Sequence, residues 1–308
     1  MSPTPPNLDS FEFETVTVNR RGQIIERQTK TARYYREDLG NGVSLDMVYI
    51  PGGSFIMGAP VGERGSSDRE HPQHKVTVQP FFIGKYPITQ AQWRAVAALP
   101  KLQRDLEPDP SRFQGDNRPL EQVGWYDAVE FCARLSVATG RQYVLPSEAQ
   151  WEYACRANTT TPFHFGETIT TEIANYHGNY TYADEPEGEY REQTTPVGSF
   201  PPNSFGLYDM HGNVHEWCAD SWPNDYEKAP TDGKVRDEDC NDNFYQNYMK
   251  YLPAMLNNGA RRMLRGGGWP YSLASCRSAN RNAEKPDIGD YDIGFRVVCV
   301  SGEDGGIN

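Results

Sequence analysis

Glycine and proline punctuate this chain from end to end, and that spacing most limits what it can become. The 28 glycines and 23 prolines in 308 residues leave almost no room for long periodic runs. Between them lie scattered aromatics, which make up 12% of the sequence. Such a pattern points to an irregular, loop-rich fold organised by tight turns, its loops fixed by backbone hydrogen bonds or bound cations.

Charge removes whole classes of function. A net charge of -12 and a pI near 5.0 oppose nucleic-acid binding, which needs clustered Lys and Arg against phosphates. They equally disfavour anionic membranes and suit a soluble protein. No apolar stretch reaches the ~18 residues that span a bilayer, and Met1-Ser2-Pro3-Thr4-Pro5-Pro6 has no apolar core of a secretion signal. The six cysteines are dispersed, with no CxxC pair. Reduced, buried thiols in a cytoplasmic monomer are the expectation.

Three helices stand out. Thr89 caps one running through Trp93 and Val96. A second covers residues 125–139, with Ala128, Phe131, Cys132 and Leu135 on one face and Gly140 closing it. Ser147-Glu148-Ala149-Gln150 has capping-box spacing and opens a third. Strands are predicted over 11–27 around an Arg21-Gly22 turn, over Leu45–Ile50 and 54–58 as a hairpin through Pro51-Gly52-Gly53, at Val76–Val78 and Phe81–Ile83, and over the closing stretch Phe295–Val300. After Asn158 only short segments and turns are expected, with 223–258 as a long insertion or lid. One domain over 42–302 is the economical division, preceded by a leader and N-terminal strand region over 1–41, the first ten residues flexible, and followed by a flexible tail over 303–308.

Several segments, in order, carry a resemblance. They include Gly52-Gly53-Ser54-Phe55-Ile56-Met57-Gly58, Glu70-His71-Pro72, Lys85-Tyr86-Pro87-Ile88-Thr89, Leu145-Pro146-Ser147-Glu148-Ala149-Gln150-Trp151-Glu152, Asp209-Met210-His211-Gly212-Asn213-Val214-His215-Glu216-Trp217, Leu264-Arg265-Gly266-Gly267-Gly268-Trp269 and Gly294-Phe295-Arg296. Together they resemble the formylglycine-generating-enzyme, or sulfatase-modifying-factor, family over about residues 42–300. The resemblance implies a C-type-lectin-like fold of small twisted antiparallel sheets, two or three helices and much irregular backbone. Trp151, Trp217 and Trp269 would then be core pillars.

The resemblance also implies structural calcium. One site would draw oxygens from Asp209, Gly212, Val214 and Glu216, the other from Asn175, the Tyr176 carbonyl and Glu189, a mixture that suits a hard cation. His211 and His215 stand four apart, but Gly212-Asn213 breaks the helix such a pair needs to share zinc or iron. His71 and His74 read as structural.

Family oxidases use a cysteine pair shortly after the Gly-Gly-Ser turn, a donor set suited to copper(I). Here Tyr271 and Leu273 stand near those positions and Cys276 follows alone, so copper is not expected. The fold carries over without that chemistry. An iron-dependent sulfoxide synthase would need an added helical bundle that 308 residues do not accommodate.

What remains is a display platform. Framework residues of the C-terminal segment alternate with a varied set, which resembles the variable proteins of diversity-generating retroelements. The expected patch is Tyr271, Ser272, Ala274, Ile288, Asp290 and Tyr291, binding an unknown protein or small molecule; Tyr and Ser suit such surfaces. The Asp290 and Asp292 carboxylates favour a basic or hydroxyl-rich partner. The other reading is a formylglycine-generating oxidase acting on sulfatase cysteines.

Overall fold

The computed structural model describes residues 7–236 and 248–300. The chain opens with β1 (Asp9–Val18) and β2 (Ile24–Gly40), an antiparallel pair. Then come β3 (Val43–Ile50), β4 (Gly53–Met57), β5 (His74–Val78) and β6 (Phe81–Gly84). The helices α1 (Gln90–Ala97) and α2 (Trp125–Thr139), the short β7 (Tyr143–Val144) and α3 (Glu148–Arg156) follow. The last part holds β8 (His215–Ser221), α4 (Tyr248–Met255), β9 (Arg262–Arg265), β10 (Asn282–Glu284), β11 (Ile293–Gly294) and β12 (Val298–Cys299).

Six strands form one sheet in the order β1-β2-β3-β6-β12-β7, four form a second as β10-β9-β8-β11, and β4 pairs with β5 alone. The architecture is α+β and C-type-lectin-like, as the sequence implies, with two differences. The second sheet is mixed, because β11 runs parallel to β8. A fourth helix, α4, lies in the 223–258 segment and buries Tyr248, Leu252 and Met255. Residues 237–247 of that segment, the first six residues and the 303–308 tail lie outside the described residues. The described flanks pack as core, with Tyr226 on Glu148 and Tyr248 on the Val129 carbonyl.

The helix ends follow local chemistry. Ser147 accepts from the Gln150 amide at 3.0 Å while the Gln150 side chain accepts from the Ser147 amide at 3.0 Å, and Thr89 with Gln92 repeats the box. Gly140 ends α2 at φ 71°, a left-handed backbone that glycine adopts freely.

Strand pairing departs from the local reading in three places. β3 and β4 do not form a hairpin; β3 pairs with β2 and β6, and β4 with β5. The chain turns at Gly52, where a Cβ would meet Pro80 at 2.7 Å, and β4 is thereby passed to its own two-stranded sheet. The closing strand expected over Phe295–Val300 is only Val298–Cys299, β12 of the first sheet; β11, just before that stretch, belongs to the second sheet, and 295–297 cross between them. Asp9 and Ser10, expected in the flexible first ten residues, open β1. β1 and β2 sit in the same sheet as β3, β6, β7 and β12.

Loops are pinned by buried ion pairs. Arg281 holds Glu148 of α3 at 2.6 and 2.9 Å. Arg277 holds Glu70 at 2.7 and 2.8 Å, Arg296 holds Glu216 of β8 at 2.6 and 2.7 Å, and Arg265 of β9 pairs with Glu152. Each fork matches a carboxylate in a bidentate or short contact, a geometry that arginine supplies and lysine does not. All four arginines come from the C-terminal third; Glu70, Glu148 and Glu152 come from earlier segments, whereas Glu216 lies in the same third as its arginine. Three of the four pairs therefore clamp the last third of the chain onto the rest. Trp151 and Trp217 are fully buried beside these clamps.

Candidate ligand-binding surface

The glycine turn after β9 sets the site. Gly266 and Gly267 sit at φ 95° and 71°, and a Cβ on Gly267 would press to 2.6 Å from the Cys276 sulfur. The turn delivers Trp269, 6% exposed, and then Tyr271. The Trp269 indole donates to the Tyr291 carbonyl at 3.2 Å and its ring lies 5.5 Å from the Tyr291 ring. Tyr271 is held through its carbonyl, which accepts from the His177 amide at 2.9 Å. Asp290 is held the same way, its carbonyl accepting from Gln122 and Ile293. Backbones are fixed and side chains project.

Of the predicted patch, the structure brings together Tyr271, Asp290 and Tyr291. Asp290 is exposed and Tyr271 is 38% exposed. Ser272 adjoins Tyr271 and is partly exposed, and Ile288 is exposed on the neighbouring loop. Ala274 faces elsewhere, since a Cβ on Gly65 would lie 3.0 Å from its methyl. That loop rims a separate cleft of about 450 Å³ lined by Glu63, Arg64, Thr161 and Tyr182. Asp292 is also not a surface group: it is buried and accepts from His215 Nδ1 at 3.0 Å.

Sequence reasoning missed several members. His177 stacks on Tyr190 at 3.7 Å, and Tyr190 on Trp269 at 5.8 Å. Phe113 meets Trp269 edge-on, and the Arg112 guanidinium lies 5.3 Å from the Phe113 ring and 5.4 Å from the Tyr291 ring. Tyr180 extends the cluster beside His177 and is 52% exposed. These residues come from loops far apart in sequence, and the only local hint is an aromatic every few positions in 176–190.

Beneath Tyr271 lies a buried polar centre. The Tyr271 ring packs edge-on against His215, centroids 4.8 Å apart. His215 is 2% exposed and, among the described residues, its Nε2 has no hydrogen-bond partner. Glu121 accepts from the Phe113 amide through Oε1, while its buried Oε2 has no partner. Burial raises the Glu121 carboxyl from 4.5 to about 7, with Asp292 adding to the rise. Burial, helped by Asp292 and Asp290, also pushes the Tyr271 hydroxyl up to about 12, so it is neutral near pH 7.

The two expected calcium sets fare differently. Both oxygens of Glu216 face Arg296, and Oε2 also accepts from Trp151 Nε1 at 2.8 Å. Asp209 accepts from the Gly198 amide at 2.7 Å and from Asn213. Glu216 is thus charge-paired with Arg296 within the protein, whereas Asp209 accepts amide N–H groups and burial pushes its carboxyl up to about 6; of the set Asp209, Gly212, Val214 and Glu216, the Glu216 charge is already taken. The other set contains a fitting atom: Asn175 Oδ1 is buried with no partner among the described residues, while its Nδ2 donates to the Gln193 carbonyl at 2.9 Å. The Tyr176 ring is buried, and the exposed Glu189 pairs with Arg191 at 3.3 Å.

The remaining histidines and cysteines are structural in placement. His211 contacts the Cys276 carbonyl at 2.7 Å and accepts from the His164 amide at 3.0 Å, whereas His215 faces Asp292, so the two do not share a ligand. His74 packs on Tyr226. Among the described residues the five cysteines are buried and unbridged, and Cys240 lies outside them. Burial pushes the Cys276 thiol up to about 12, the opposite of an activated thiolate.

No helix among the described residues is long and apolar enough to cross a membrane. PvdO from Pseudomonas aeruginosa is similar in structure, with TM-score 0.68 and 35% identity over 86% of this chain and 97% of that one. Treponema denticola variable protein 1 shares the fold at TM-score 0.64 and 23% identity, over 86% and 98% of the two chains. The serine/threonine-protein kinase pkn1 of Chlamydia caviae is 28% identical over 306 residues, taking in 92% of this chain but only 43% of that protein. The chain therefore spans less than half the length of that relative. The model of the sulfatase-modifying factor enzyme 1-like domain matches residues 40–300, and the chain belongs to that family.

Proposed function

We propose that this chain is a non-catalytic binding module that displays a variable C-terminal surface patch, of the kind diversified by retroelements. The observation that carries the reading is the division of labour at Tyr271, Asp290 and Tyr291. Their backbones are hydrogen-bonded into the framework while their side chains face outward around Trp269. Replacing such side chains leaves the ion-pair clamps untouched. The fold shared with Treponema denticola variable protein 1 accords with this reading. The oxidase alternative has less support, because Tyr271 stands where a thiol of the pair is expected and Cys276 is buried with a raised pKa. In the same reading calcium is structural, held at Asn175 Oδ1 with oxygens of Tyr176 and Glu189. Partners are a protein or small molecule, in a cytoplasmic setting.

The test is a panel of immobilised peptides and small molecules screened against the native chain and a Tyr271→Ser/Asp290→Ser/Tyr291→Ser variant. The reading expects ligands that lose binding to the variant while its melting temperature stays within about 2 °C, since exposed substitutions usually cost within ~0.5 kcal/mol each. Ligands retained in full by the variant, or copper-dependent oxidation of a sulfatase peptide cysteine, would overturn it.

A further inference from the structure

Resting on that patch reading, we propose that the ligand group seated at Tyr271 is an organic cation, an ammonium or guanidinium, whose N–H groups donate to His215 Nε2 and whose charge lies against the surrounding tyrosine faces and Asp290.

The His215 ring fixes the polarity. Nδ1 lies 3.0 Å from the Asp292 carboxylate, so Nδ1 carries the proton and donates. The buried Nε2 has no hydrogen-bond partner among the described residues, and with the proton on Nδ1 it is the ring atom that presents an acceptor lone pair. A buried acceptor without a partner is costly in a native fold, and a ligand N–H or O–H removes the cost. Asp292 behind the ring strengthens the acceptor and places negative charge beneath it.

Access depends on Tyr271. Its ring covers His215 edge-on, yet among the described residues its hydroxyl makes no hydrogen bond, so a rotamer change uncovers the acceptor without breaking a polar contact there. The walls then exposed are aromatic: Trp269, Tyr291 and Tyr271 itself. Aromatic faces attract cations electrostatically. Exposed Asp290 supplies the counter-charge, and its field together with that of Asp292 is felt at the Tyr271 hydroxyl. A neutral sugar hydroxyl could satisfy Nε2 but would gain nothing from Asp290 or the ring quadrupoles.

The experiment compares benzamidinium and n-butylammonium with their neutral counterparts, benzamide and n-butanol, by ligand-observed NMR titration of the intact chain. The expected result is cation binding at least 10-fold tighter than the neutral partner. Tyr291→Leu and Asp290→Asn should each weaken it 3-fold or more, and His215→Phe should abolish it. If His215→Phe does not fold, the two surface variants decide. Equal binding of neutral and cationic probes, unchanged cation binding in Tyr291→Leu and Asp290→Asn, or no cation binding at all would each overturn the cation assignment. The patch reading would survive any of these outcomes, since it stands or falls on the panel screen with the triple-serine variant.

Discussion

Glu216→Gln separates two roles for one carboxylate. In the structure Glu216 is fully buried, binds Arg296 through both oxygens at 2.6 and 2.7 Å and accepts from Trp151. Glutamine keeps the shape and one acceptor but removes the charge, which leaves the Arg296 guanidinium buried with only the Gly84 and Tyr208 carbonyls. Breaking one side of a buried pair costs about 3–5 kcal/mol. At about 2.1 cal/mol/K per residue, 308 residues have an unfolding entropy near ~0.65 kcal/mol/K. The melting temperature should fall by roughly 5–8 °C, by the same amount in EGTA and in calcium. The double variant Glu216→Gln/Arg296→Met should recover at least half of the loss, because no unpaired charge remains. Scanning calorimetry with and without calcium reads all three. The reasoning is refuted if Glu216→Gln melts like the native chain in EGTA and loses only a calcium-induced rise, since Glu216 would then be a cation ligand and not the clamp of Arg296.

Three further outcomes follow from the same coordinates. Ser147→Ala removes the α3 cap and the 2.7 Å bond that the hydroxyl donates to the Gly233 carbonyl; the expected loss is about 2 kcal/mol, or ~3 °C in calorimetry. Glu121 has a folded pKa of about 7, raised from 4.5, so its contribution is fully present below pH ~4.5 and is lost as pH rises through 7. Urea melts of Glu121→Gln against the native chain should show the variant gaining up to ~3 kcal/mol in relative stability between pH 4.5 and 8. A gain in the opposite direction would contradict the burial of that carboxyl. If calcium is held at Asn175, a concentration 100 times its Kd adds about 2.7 kcal/mol, a rise of ~4 °C that Asn175→Ala should abolish in a thermal-shift assay.

The helices were legible because their signals are local. Ser147 with Gln150, Thr89 with Gln92 and Gly140 each act within four residues. Strand pairing was not legible to the same degree. The turn at Pro51-Gly52-Gly53 reads as a hairpin, but the β3 partner is β6, about 30 residues on, and nothing between them encodes that register. The closing stretch looks like one strand because Val and Phe favour extended backbone, yet Arg296 reaches Glu216 while 295–297 cross between sheets.

The site divides in the same way. Tyr271, Asp290 and Tyr291 follow from their place among framework residues. The His215–Asp292 pair, 77 positions apart, and the contribution of Glu121, Tyr190 and His177 depend on loop closure that only the fold supplies. Glu216 divides likewise: a carboxylate beside a glycine turn reads as a cation ligand, and its ion pair to an arginine 80 positions away comes into view only with the fold.

The central claim is that a clamped framework carries a patch free to vary. The most direct measurement is a library randomised at Tyr271, Ser272, Ile288, Asp290 and Tyr291, sorted for folding by protease resistance beside a matched library at Arg265, Arg277, Arg281 and Arg296. The account predicts that most patch variants stay folded while nearly all clamp variants are lost. Equal loss from both libraries would mean that the patch residues are part of the framework, and the display reading would fail.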